Sequence, residues 1–149
     1  MRHLNFCISK INEKETRIKV MKLLDQYRLY LLQVPDDFLP KVTPTYSIVP
    51  PSITNEFHSS TEDAALKRLD WEIQRDKFLK RIQRAVNRLS QRERQIIVML
   101  YMQPEEMYDY EVYGEMDLSQ RSYYRVKAKA FYRLAFALRE EVYKKGAAS

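Results

Sequence analysis

The stretch LSQRERQIIVMLYM (Leu89–Met102), followed by YDYEVYGEMDLSQRSYYRVKAKAFYRLAFAL (Tyr108–Leu138), decides how this chain is read. Ser90 and Glu93 stand at the spacing of a capping box. In that motif the serine hydroxyl accepts the N–H of the third helical residue, and the carboxylate accepts the serine N–H. An apolar run from Ile96 to Tyr101 follows, Leu89 is placed for a hydrophobic staple, and Gln103-Pro104 ends the helix. A short helix fits Tyr108 to Glu115, and Gly114 to Leu118 supplies a turn. Ser119 caps a last helix that the apolar spacing of Val126, Ala130, Leu134, Ala137, Leu138 and Val142 carries to about Lys145, where Gly146 stops it. Tyr123, Val126 and Ala130 are expected to pack inward against Ile97, Leu100 and Val112.

Upstream, two more helices are expected. One runs from Asn12, an N-cap with Glu15 in the first turn, to Gln33, with a stripe of Ile18, Met21, Leu24, Tyr27 or Arg28, Leu31 and Leu32; Pro35 closes it. The other starts at Ser59, at capping-box spacing from Glu62, and reaches Leu89. It carries Leu66, Leu69, Ile73, Phe78, Ile82, Ala85, Val86 and Leu89 on one face and Lys77, Lys80, Arg81, Arg84 and Arg88 on the other. Five of the six prolines lie between residues 34 and 60, so no helix crosses that segment. It reads as a linker between an N-terminal helical arm (1–33) and a helical C-terminal domain (61–149), or else as a wrapped segment packed by Phe38, Tyr46 and Phe57. The fold class is all-α, with a helix-turn-helix at about 108–145.

Composition narrows the chemistry. Two glycines in 149 residues exclude Gly-rich phosphate loops and leave few tight hairpins. A single cysteine, Cys7, allows no internal disulfide and reads as a spectator thiol; His3 and His58 have no metal-ligand spacing, and His58 reads as a loop residue. No metal or cofactor is expected. The first residues lack a signal-peptide pattern and no apolar run approaches a membrane span, which gives an expectation of a cytoplasmic protein without membrane contact. Trp71 is expected in the core, and Tyr108, Tyr110 and Tyr113 in the core or against a protein partner. The acidic group Glu105, Glu106, Asp109, Glu111, Glu115 and Asp117 reads as solvated surface, and the chain as no enzyme.

The net charge of +6 is unevenly spread. Residues 100–118 hold six acidic and no basic side chains, and residues 119–149 hold eight basic and two acidic ones. The switch falls at Ser119, where a helix-turn-helix presents its base-reading residues. Ser119, Gln120, Arg121, Ser122, Tyr124 and Arg125 are the candidates for bases or phosphates, and Lys127, Lys129 and Arg133 for the DNA backbone.

The spacing S-x-R-x-Y-Y-R-x-K-x-x-A-x-x-x-L-A from Ser119 to Ala135, with the capped helix before it, resembles region 4 of sigma factors and, more closely, the ArpU family of phage transcriptional regulators. The resemblance covers about residues 61–140. It implies a recognition helix beginning at Ser119, binding to double-stranded DNA at a promoter, and activation of phage or prophage late genes with host RNA polymerase. Residues 1–89 hold no aromatic-basic promoter-melting helix, so an activator fits better than a stand-alone sigma factor, and residues 1–60 are not explained by the likeness. Two other readings stay open: an adaptor or inhibitor on a sigma-like scaffold, and a terminase small-subunit-type DNA-packaging protein. The apolar stripe of the first helix suits an oligomer, internal packing or a polymerase contact equally.

Overall fold

The computed structural model describes residues 10–50 and 62–145, with the side chains of 62–65 left aside. Expectations placed on His3, Cys7, Phe57, His58, the Ser59 cap and Gly146 lie outside the described residues. Among the described residues five α-helices form the body: α1 (Glu13–Leu31), α2 (Glu62–Asn87), α3 (Gln91–Tyr101), α4 (Asp109–Glu115) and α5 (Gln120–Leu138). A two-residue antiparallel hairpin, β1 (Lys41–Val42) and β2 (Ile48–Val49), lies between α1 and α2, with Lys41 opposite Val49.

Local chemistry sets the helix starts. Asn12 Oδ1 accepts the Glu15 N–H at 3.1 Å. The Ser90 box is complete: Ser90 N–H donates to Glu93 Oε1 at 2.9 Å and Ser90 Oγ accepts the Glu93 N–H at 3.4 Å. Ser119 Oγ accepts the Ser122 N–H at 3.2 Å.

One core joins α1, α2, α3 and α5 through Val20, Leu24, Tyr27, Ile82, Val86, Ile97, Val98, Leu134 and Leu138. A second, smaller cluster of Ile96, Met99, Leu100, Val112 and Tyr123 sits under α4. Tyr123 is fully buried against Leu100 and Val112 as expected, with Val126 at the edge, while Ala130 belongs to the larger core with Ile97.

Helix α1 packs on α2, α3 and α5, so it is part of the body and not a projecting arm. Its buried face is Thr16, Val20, Leu24 and Tyr27; Ile18, Met21 and Leu32 are exposed, against expectation. The offset arises at Thr16, a polar residue whose Oγ1 accepts the Val142 N–H at 3.0 Å and so turns inward. Arg28 of α1 reaches the end of α3, donating to the carbonyl oxygens of Leu100 and Gln103, where the carbonyls of a helix C-terminus attract a cation.

The described part of the proline-rich stretch is folded onto the body. Asn87 on α2 donates to Ile48 O at 2.9 Å and accepts from Ile48 N at 2.8 Å, pinning β2. Tyr46, with φ of 62°, supplies the left-handed residue of the turn that no glycine provides, and its ring packs against both clusters. The wrapped-segment alternative describes Tyr46 better than a free linker does.

Two further expectations are corrected. The last helix ends at Leu138, not near Lys145: Arg139 adopts φ 57°, ψ 42°, and the Glu140 N–H donates to Ala135 O. The chain then runs back along the start of α1, with Asn12 N–H on Val142 O and Lys144 N–H on Lys10 O, both 2.7 Å. Arg81 holds this corner by donating to Leu138 O at 2.7 Å and Glu140 Oε1 at 2.9 Å, and Lys19 pairs with Glu140 at 2.8 Å. Trp71 is half exposed; its ring makes a T-shaped contact with Tyr30 at 5.5 Å and donates to Gln33 Oε1 at 3.3 Å. The reason is length, since 26 residues make a helix of about 39 Å, longer than α1 covers. Leu66, Leu69 and Ile73 are exposed on the same uncovered half, whereas Leu79, Ile82, Ala85, Val86 and Leu89 are buried.

Candidate nucleic-acid interface

Helix α4 and the start of α5 are joined through Met116–Ser119, and one carboxylate fixes their angle. Asp109, the first residue of α4, accepts from Tyr123 Oη at 2.5 Å and Lys127 Nζ at 2.8 Å, both on α5. The Tyr113 and Tyr123 rings add a tilted contact at 5.4 Å. The turn takes its left-handed residue from Asp117, with φ of 52°, while Gly114 lies within α4 facing open space.

Burial pushes the Asp109 carboxyl up, but the Lys127 and Tyr123 hydrogen bonds outweigh it and leave the group below its ordinary value. For the same reasons, burial first and the Asp109 bond second, the Tyr123 hydroxyl is strongly raised and remains a donor. A depressed folded pKa contributes stability above the unfolded value of about 3.9, which is lost as pH falls through the folded value. Wild type is therefore expected to lose melting temperature below about pH 4 more steeply than Asp109→Asn. Glu140, lowered by its Lys19 and Arg81 bonds, titrates in the same window, so the difference between the two melting curves is the measurement. Parallel curves from pH 5 to 2 would remove Asp109 as the tie.

Because α4 and the smaller cluster bury one side of α5, the opposite side is free. Gln120, Arg121, Tyr124, Arg125, Ala128 and Lys129 are exposed, at positions that repeat every four residues along one stripe. Among the described residues Arg121, Arg125 and Lys129 have no ion-pair partner.

The nine positions expected to touch DNA thus divide. Gln120, Arg121, Tyr124, Arg125 and Lys129 share the open stripe; Ser119 is the exposed cap and Ser122 is half-buried as the donor to it. The other two are held in ion pairs, Lys127 nearly buried and Arg133 with its side chain 49% exposed. Lys127 is bound to Asp109, with its side chain 13% exposed. Arg133 Nη1 is 3.0 Å from Oε1 of Glu93, which is 2% exposed and also closes the capping box of α3. These pairs span 18 and 40 residues, and no local pattern announces them.

The chain is 35% identical over 133 residues to an uncharacterized phage-related protein of Listeria innocua serovar 6a, a match covering 89% of this chain and 93% of that one. It is 30% identical over 135 residues to protein Gp66 of Listeria phage A118, covering 91% and 92%. The chain belongs to this family of phage-related proteins. No family model matches it, and no solved structure does.

The phage setting expected from the sequence is that of these relatives, whose names carry no activity. Among the described residues no helix is long and apolar enough to cross a membrane, and no group of three or more His, Cys, Asp or Glu is placed to hold a metal. Tyr113 packs against the smaller cluster, but Tyr108 and Tyr110 stack on each other in the open at 5.7 Å. Sequence reasoning missed two cations of α1, Lys14 and Arg17, which line a cleft with Lys129 of α5. No sequence signal links positions so far apart along the chain.

Proposed function

We propose that this phage-family protein binds duplex DNA at specific sites through α5 and regulates transcription, as the likeness to ArpU-type, sigma-region-4-like regulators implies. The observation that carries the reading is the stripe Gln120, Arg121, Tyr124, Arg125 and Lys129, exposed and basic, on a helix whose remaining cations are spent on internal pairs. Helix α4, the turn and α5 then act as a helix-turn-helix. From Ser119 to Lys129 the stripe runs about 15 Å, which spans a major groove about 12 Å wide. Near the capped end, Gln120 offers the bidentate amide that suits adenine and Arg121 the fork that suits guanine. Lys129, farther along, meets phosphate. Host RNA polymerase is the partner this reading assigns to the rest of the surface.

The test is capture of fragmented phage or host DNA by the purified chain at physiological salt, where phosphate-only binding is weak, followed by sequencing. Enrichment of one intergenic promoter is expected. Enrichment at a packaging site would replace the regulator with a terminase-type role. No enrichment by folded protein would overturn the DNA reading and leave an adaptor on a sigma-like scaffold.

A further inference from the structure

The exposed stripe of α5 does not end in neutral surface. At Lys129 it opens into a cleft of about 570 Å³ between the middle of α5 and the first two turns of α1. Lys14 and Arg17 line the α1 side, and both are exposed. The Arg17 guanidinium sits over the Phe131 ring, 5.7 Å from its centroid, so the charge is held in place by packing. Neither cation pairs with a carboxylate among the described residues, and the one acidic side chain lining the cleft is Glu13. Three cations against one carboxylate leave the cleft positive.

Position gives this charge a use. Eight residues separate Arg121 from Lys129, a rise of about 12 Å, close to the width of the major groove. With the start of α5 seated in that groove, cations beside Lys129 would meet the sugar-phosphate wall rather than base edges. A guanidinium fork held against an aromatic ring and a neighbouring ammonium are suited to phosphate oxygens.

We propose that Lys14 and Arg17, on the helix that precedes the DNA-reading unit, bind a backbone phosphate of the duplex held by α5, with Lys129 as the shared edge. This rests on the DNA-binding reading above. It makes α1 a second contact, which fixes the register of α5 without contributing sequence preference.

The experiment titrates a short duplex carrying the captured sequence, and a scrambled duplex, against salt with wild type, Lys14→Gln, the double variant Lys14→Gln/Arg17→Gln, and Lys14→Arg/Arg17→Lys. The slope of log K on log salt is expected to become shallower by about 0.9 for each cation removed from the phosphate, about 1.8 in the double variant. The ratio of captured to scrambled affinity is expected to stay unchanged, and the charge-preserving variant to keep the wild-type slope. Lys14→Gln alone changes only an exposed side chain, so it reads the phosphate interaction even if losing the Arg17–Phe131 packing lowers the melting temperature of the double variant. A wild type without duplex binding overturns the DNA reading itself. Wild-type binding with Lys14→Gln and the double variant both at the wild-type slope overturns only the α1 interaction, as does a loss confined to the captured sequence.

Discussion

Arg133→Ala is expected to lower stability by about 1–2 kcal/mol, on the order of 5 °C in melting temperature, while leaving the salt slope of duplex binding unchanged. Sequence spacing puts Arg133 among the backbone contacts, but its guanidinium lies 3.0 Å from Glu93, a carboxylate with a side chain only 3% exposed. Removing the cation leaves that charge buried without its counter-ion. The cost stays below the full penalty for orphaning a buried ion, because Ser90 N–H still donates to Glu93 Oε1 and the N-terminus of α3 still faces it. Glu93 thereby ties the start of α3 to the second half of α5, and the loss reaches the packing that holds the exposed stripe in place. Lys129→Ala is the contrast: both residues are exposed, but Lys129 has no ion-pair partner among the described residues, so its melting temperature should match wild type while its salt slope falls. Unchanged melting with a shallower slope for Arg133→Ala would return Arg133 to the DNA-contacting set.

The features legible in the sequence are those made by neighbours along the chain. Asn12, Ser90 and Ser119 announce helix starts because a cap is a bond between residues three apart. The inward face of early α5 is readable for a similar reason, since Tyr123, Val126 and Ala130 follow helical spacing. Distant partners decide the rest. Leu138 and Val142 keep helical spacing, yet the helix stops between them because Arg81 bonds Leu138 O and Asn12 bonds Val142 O. The left-handed Arg139 costs about 1–2 kcal/mol, a strain that these long-range bonds offset. Thr16 is buried by its bond to Val142, 126 residues away, which rotates the whole face of α1. For the candidate interface, residue spacing gathers the cations on one helix, but it does not separate the unpaired ones from those held by Asp109 and Glu93. Nor does it place Lys14 and Arg17 beside Lys129.

Arg121→Ala and Arg125→Ala are each expected to weaken binding to the captured duplex by roughly 1–3 kcal/mol, a factor of about 5 to 150, while the scrambled duplex loses far less. The two residues lie four apart on one stripe, one turn along α5, and both are exposed. Having no ion-pair partner among the described residues, neither is expected to shift stability by more than about 0.5 kcal/mol, so affinity and folding separate cleanly. Arg121 stands in the first turn of α5, beside the Ser119 cap, and on the proposed reading the larger loss of discrimination is expected there. One turn farther on, Arg125 has the reach for either a base edge or a phosphate, and the scrambled duplex decides between them. A base contact lowers only the captured-sequence affinity; a phosphate contact lowers both affinities together and takes about 0.9 from the salt slope. Because the residues are neighbours, the double variant is not expected to sum the single losses. Wild-type affinity and discrimination in both single variants would remove α5 as the reading helix, whatever the rest of the surface binds.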